Sequence, residues 1–229
     1  MTLEQRSYHA LIIDDHPLIS EAYKSAFLFY QKRAENVSFE ISVCHDCDSA
    51  IDKIHEIVNN KMPLDIVFLD ISLPPSKDRK ILSGEDLGLK LNELLPEAKV
   101  IVSTTFNDNY RIHSIFKNIN PDGFLIKNDI TPKELVLAIE EVLTDPPYYS
   151  KTVMKLLRKQ VSSDLLLDHI DRKILYELSV GTRMKDLPGV VPLSIPGIEK
   201  RKRHLKQIFE IKSQDDKELI LLAREKGFI

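Results

Sequence analysis

Between residues 10 and 144 the sequence alternates short β-branched runs with longer amphipathic stretches, and this alternation restricts the fold more than any other feature. The runs are Ala10 to Asp14, Phe39 to Cys44, Asp65 to Asp70, Lys99 to Thr104 and Gly123 to Lys127. Most of them are nearly continuous in apolar residues, as strands covered on both faces are, while the stretches between them carry a 3.6-residue period. Successive βα units of this kind predict an α/β fold, a flavodoxin-like, doubly wound parallel sheet of five strands. The last helix of the series is marked by Thr131 as N-cap, Pro132 at the first helical position and Glu134 three residues after the cap.

Asp145-Pro146-Pro147 stops that helix, and beyond it the patterns are helical. The expected division is residues 1–145 as one domain, 146–166 as a linker with a helix, and 167–229 as a small all-α domain. The 229 residues are enough for two modest cores. A formal net charge of −3 confines any affinity for polyanions to local patches. Neither a signal peptide nor an apolar run of membrane-spanning length is visible, so the reading is a cytoplasmic protein without a membrane span. Cys44-His45-Asp46-Cys47 has a zinc-knuckle spacing but no second ligand pair, so Cys44 is read as a strand residue.

In an open parallel sheet, chemistry collects beyond the carboxyl ends of the strands. The residues there are Asp14 and Asp15 after the first strand, Asp70 ending the third, Thr104 ending the fourth and Lys127 ending the fifth. Taken singly, each has an ordinary use as a helix cap or a solvated loop residue. Taken together they form a coherent set. Converging carboxylates repel one another unless a cation neutralises them, and an all-oxygen site suits Mg²⁺. A carboxylate is also a nucleophile toward phosphorus, a lysine supplies a point charge for phosphate oxygens, and a threonine hydroxyl donates to one of them.

Leu11-Ile12-Ile13-Asp14-Asp15-His16-Pro17-Leu18, Val67-Phe68-Leu69-Asp70-Ile71-Ser72-Leu73-Pro74 and Gly123-Phe124-Leu125-Ile126-Lys127-Asn128 resemble the motifs of two-component response-regulator receiver domains, in particular those with LuxR/NarL-type output. The resemblance implies that Asp70 accepts a phosphoryl group from a histidine kinase. It implies that Asp14, Asp15, Asp70 and the backbone carbonyl of Ser72 hold Mg²⁺, and that Lys127 contacts the phosphate. Thr104 matches the switch hydroxyl and Phe124 the aromatic switch position. Thr105 is a rival for Thr104, but neighbouring side chains on a strand alternate, so only one of them faces the site. One departure is the nine-residue stretch Pro75 to Ser83 before Gly84, longer than the family's usual loop and read mainly as a surface insertion.

The densest positive charge, Glu199-Lys200-Arg201-Lys202-Arg203-His204-Leu205-Lys206, falls on a helix expected from Ile198 to Phe209. Ile198, Leu205, Ile208 and Phe209 form its core stripe, with Lys200, Lys202, Arg203 and Lys206 outward, which is the division a DNA recognition helix requires. Residues 167–229 resemble a LuxR/NarL-type helix-turn-helix domain, with Gly181 in the turn after its first helix. Pro188, Gly189 and Pro192 fall where the family's scaffold helix lies, so that helix is expected to shrink to a single turn, and Pro196-Gly197 to delay the basic helix. The partners implied are a histidine kinase, double-stranded DNA and a second copy of the chain, with the final helix (Leu219, Ile220, Leu222 and Ala223) as a dimer surface or an ordinary core helix. The alternatives are a helical domain that binds protein, or regulation without phosphorylation. An aspartyl-nucleophile phosphatase usually needs a second acid two residues after the nucleophile, where this chain has Ser72, so an enzyme is not expected.

Overall fold

The computed structural model describes residues 6–34, 36–105, 109–158, 167–213 and 215–229. The strands are β1 (Arg6–Ile13), β2 (Val37–Cys44), β3 (Ile66–Asp70), β4 (Lys99–Thr104), β5 (Gly123–Ile126) and β6 (Tyr148–Tyr149). The helices are α1 (Pro17–Arg33), α2 (Cys47–Asn59), α3 (Gly84–Leu94), α4 (Asn109–Ile119), α5 (Pro132–Thr144), α6 (Lys151–Arg158), α7 (His169–Ser179), α8 (Ile195–Ile208) and α9 (Asp216–Glu225). The sheet is parallel in the order β2-β1-β3-β4-β5-β6, which is the doubly wound α/β topology. It has six strands, against five expected. A two-residue strand gives no periodic signal, and Tyr148 and Tyr149 pair with Gly123 and Phe124 at the sheet edge.

Alternating strand residues feed two cores, as the two-residue side-chain period requires. Leu11, Ile13, Val67, Leu69, Val100 and Val102 pack with residues of α2, α3 and α4 on one face. Ala10, Ile12, Ile66, Phe68 and Ile101 pack with α1 and α5 on the other. α5 carries the expected capping box, with Thr131 and Glu134 each bonding the other's backbone. Within the stretch read as a linker, β6 joins the sheet and α6 buries Val153 in the first core. Residues 159–166 of that stretch lie outside the described residues, as does Gln214, the expected start of the last helix.

The C-terminal unit closes around two small clusters. Leu167, Leu175, Leu205, Ile208, Leu219 and Ala223 form one. Ile174, Leu187, Val191 and Ile198 form the other, beneath a single 3-10 turn, Leu187–Gly189, that stands where a scaffold helix was in question. Gly181 follows α7 at φ +89°, a left-handed turn position suited to glycine. The last helix buries Leu219 and Ala223 in this core, which is a packing role for those two positions. No helix among the described residues is long and apolar enough to cross a membrane.

Candidate functional site

The carboxyl ends of β1 and β3 bring Asp14, Asp15 and Asp70 together. Ligand atoms from these three and from His16 lie within 4.8 Å of one another. Asp14 and Asp70 are buried, and the Lys127 ammonium at the end of β5 sits between them, 2.7 Å from an oxygen of each. The Ser72 backbone N–H donates to the other Asp70 oxygen at 2.9 Å, and the His16 N–H donates to Asp14 at 2.9 Å. Burial pushes the Asp70 carboxyl above its ordinary range, with the Lys127 hydrogen bond pulling the other way. The three carboxylates offer converging hard oxygen donors, the ligand type Mg²⁺ takes alongside its waters, so their chemistry fits that ion.

Thr104 is buried at the end of β4, in the strand next to Asp70, and Thr105 is exposed, so alternation separates the two threonines as expected. Phe124 is fully buried on the α4 face of the sheet, with its ring centroid 5.1 Å from that of Phe116. Phe116 in turn meets Tyr149 edge-on at 5.0 Å. Cys44 and Cys47 are both buried thiols; burial raises the Cys44 pKa and pushes Cys47 up to about 12, so neither is a ready thiolate ligand.

Gly84 opens α3 hard against the Asp70 backbone. A Cβ at this position would stand 1.8 Å from the Asp70 carbonyl oxygen, so only glycine fits the approach. The next two residues, Glu85 and Asp86, are buried and face the C-terminal unit. Glu85 pairs with Arg111 of α4, and Asp86 with Arg172 of α7 at 2.8 Å and His169 at 3.1 Å. Both arginines are almost fully buried, and Arg111 also stacks over Phe228, 5.1 Å from its ring centroid. The stretch from Pro75 to Ser83 is tied to itself through Ser76 and Ile81, and it reaches the same interface. Its Arg79 carbonyl accepts from Lys173 at 2.9 Å, and the Arg79 guanidinium lies over the Tyr176 ring.

This interface was not legible in the sequence. Glu85 and Asp86 lie in the first turn of α3, where acids suit the helix dipole whatever they face. Nothing local to Arg111 or Arg172 marks a distant partner, and His16 is not singled out although it directly follows Asp14-Asp15.

The basic helix departs from expectation in three ways. It begins at Ile195, not Ile198, with Pro196 inside its first turn. Proline is well tolerated there because the N–H it lacks would have had no helical partner, so Pro196-Gly197 do not delay the helix. Lys202 and Lys206 do not point outward as expected. Both reach Asp216 at the start of α9, at 2.6 and 3.0 Å, and their side chains are only 18% and 14% exposed. Lys200 and Arg203 are exposed as expected, and Arg201 forks onto Asp168 and Asp171 at the start of α7.

No protein-family model matches the chain. It is 24% identical over 232 residues to the oxygen regulatory protein NreC of Staphylococcus epidermidis, covering 96% of this chain and 98% of the relative. It is 25% identical over 231 residues to NreC of Staphylococcus aureus, with the same coverage. Among solved structures it is similar to RcsB of Salmonella enterica serovar Typhimurium bound to promoter rprA in the presence of phosphomimetic BeF3⁻. There the TM-score is 0.65 and the identity 18%, over 94% of this chain and 98% of that one.

Proposed function

Because the chain is a two-component response regulator, with a receiver and a helix-turn-helix domain, we propose that Asp70 is phosphorylated and that this modification controls DNA binding by α8. The observation that carries the proposal is the buried pair Asp14 and Asp70 bridged by Lys127 at 2.7 Å from each, at the ends of three strands. In this reading a histidine kinase is the phosphodonor. An Asp70 carboxylate oxygen attacks phosphorus, the bond from phosphorus to the donor breaks, and an acyl phosphate remains. Lys127 is held where it screens the charge of the incoming group and then contacts its oxygens. Thr104 donates its hydroxyl to the phosphoryl group, and Phe124 repacks as Thr104 moves. Asp14, Asp15, Asp70 and the Ser72 carbonyl would hold Mg²⁺, which would supply positive charge for the same purpose.

The route to the second domain is short. The Asp70 carbonyl abuts Gly84, and Glu85 and Asp86 hold the buried arginines of the interface. A shift at Asp70 therefore acts directly on the start of α3. The relatives add support: one of the similar RcsB structures is bound to a promoter in the presence of a phosphomimetic. On DNA, α8 would present Lys200 and Arg203, and a second copy of the chain would read a second half-site. Incubation of the intact protein with Mg²⁺ and a small phosphodonor tests the first step. One phosphoryl mass is expected on the wild type and none on Asp70→Asn; equal gain on both would overturn the assignment.

A further inference from the structure

The basic helix α8 contains one acid, Glu199. The helix buries Ile198, Leu205 and Ile208. At about 100° per residue, Arg203 lies opposite that stripe, with Glu199 to one side of it and Lys200 to the other. All three are exposed. The basic residues nearer the core already have acids: Arg201 has Asp168 and Asp171, and Lys202 and Lys206 share Asp216. Glu199 is therefore not needed to balance them. It precedes Arg203 by four residues, a spacing suited to an ion pair, yet it makes no salt bridge among the described residues. A carboxylate is thus left on the face that the proposed function turns toward DNA. It is also nearer the N-terminal end of α8 than Arg203, the end from which a recognition helix reaches base edges.

An ionised carboxylate only accepts hydrogen bonds, and the anionic phosphate oxygens repel it, so base edges are the groups of DNA that can satisfy it. In the major groove guanine presents two acceptors, and thymine an acceptor and a methyl group. Adenine presents its N6 amino group beside the N7 acceptor, a pair that matches an amide rather than a carboxylate. Cytosine presents the N4 amino group with no acceptor beside it. We propose that Glu199 reads cytosine, accepting a hydrogen bond from N4, while Lys200 and Arg203 supply the phosphate contacts. The inference rests on the reading of α8 as the DNA recognition helix.

Selection from a random duplex library by the full chain, with Mg²⁺ and beryllium fluoride at one salt concentration, tests it. The wild type is expected to enrich cytosine at one position of each half-site, and to bind such sites about tenfold more tightly than the same sites with that base replaced. Glu199→Ala should lose the preference at that position alone and bind random duplex more tightly, because a charge that repels phosphate is gone. Glu199→Gln should move the preference to adenine, whose N6 and N7 match a side-chain amide. Glu199 is exposed, so both variants are expected to fold. The same enriched bases in the wild type and both variants overturn the Glu199 assignment and leave α8 as the DNA-binding helix. Loss in Glu199→Ala of a preference for a base other than cytosine overturns it too. A wild type that enriches no sequence overturns the recognition-helix reading as well.

Discussion

The Asp70 pocket and the basic helix α8 both gather charged side chains, but they are built by different parts of the fold. In the pocket, each charge sits where a strand ends, so the sheet that aligns β1, β3 and β5 also brings Asp14, Asp70 and Lys127 together. On α8, which charges face solvent depends on a residue of another helix. Asp216 turns Lys202 and Lys206 inward and leaves Lys200 and Arg203 exposed. A site fixed by topology tolerates little change, whereas a site fixed by a side-chain partner is reset by a single substitution.

The largest effect is expected between the two regions. Arg172→Ala leaves Asp86 and Glu85 short of a buried guanidinium, and breaking such a pair costs about 3–5 kcal/mol. The docked arrangement should loosen, read as a larger radius of gyration in solution scattering, and an unchanged radius would show that the buried charges do not hold the domains together. Next comes Gly84→Ala, whose Cβ would collide with the Asp70 carbonyl. A loss of roughly 3 kcal/mol in denaturant unfolding, together with slower phosphoryl gain at Asp70, is expected. A neutral substitution would break the claim that the pocket is fixed by backbone approach.

The helix should respond more gently and more selectively. Each lysine or arginine on a DNA phosphate contributes about 0.9 to the slope of log affinity against log salt. Lys200→Ala combined with Arg203→Ala should lower that slope by about two, while Lys202→Ala should barely change it. Asp216→Asn, which weakens the hold on Lys202 and Lys206, should raise both slope and affinity. If Lys202→Ala matches the double variant, the inward lysines do meet DNA; a slope near zero for the wild type would favour a protein partner instead.

The smallest effect is on pH. Burial raises the Asp86 carboxyl, but the His169 hydrogen bond and the Arg172 guanidinium more than reverse this and hold it at about 2, against 3.8 when exposed. A depressed carboxylate stabilises the docked form in full above the exposed value and loses that contribution as pH falls through the lower one. Docking followed by scattering should therefore be constant from pH 7 to about 5 and weaken as pH falls from about 4 toward 2, with Asp86→Asn removing that dependence.

These contrasts also explain what the sequence revealed. The strands, the cap at Thr131 and the pocket residues were legible because period and strand-end position are local properties. Alternation allowed only one of Thr104 and Thr105 to face the site, the offset from the strand start favoured Thr104, and of the two it is Thr104 that is buried. The two-residue β6 was too short to carry a pattern, and Pro196 was read as a delay although it sits in the turn where proline is accepted. The interface of Glu85, Arg111 and Arg172, and the inward lysines of α8, depend on partners far along the chain, which periodicity does not report.

The central claim is that chemistry at Asp70 reaches α8. DNA affinity of the wild type and of Asp70→Asn, measured at one salt concentration with and without Mg²⁺ and beryllium fluoride as a phosphoryl mimic, tests it most directly. The account predicts a change of at least about tenfold in the wild type and none in Asp70→Asn. The same response in both proteins, or none in either, would contradict it.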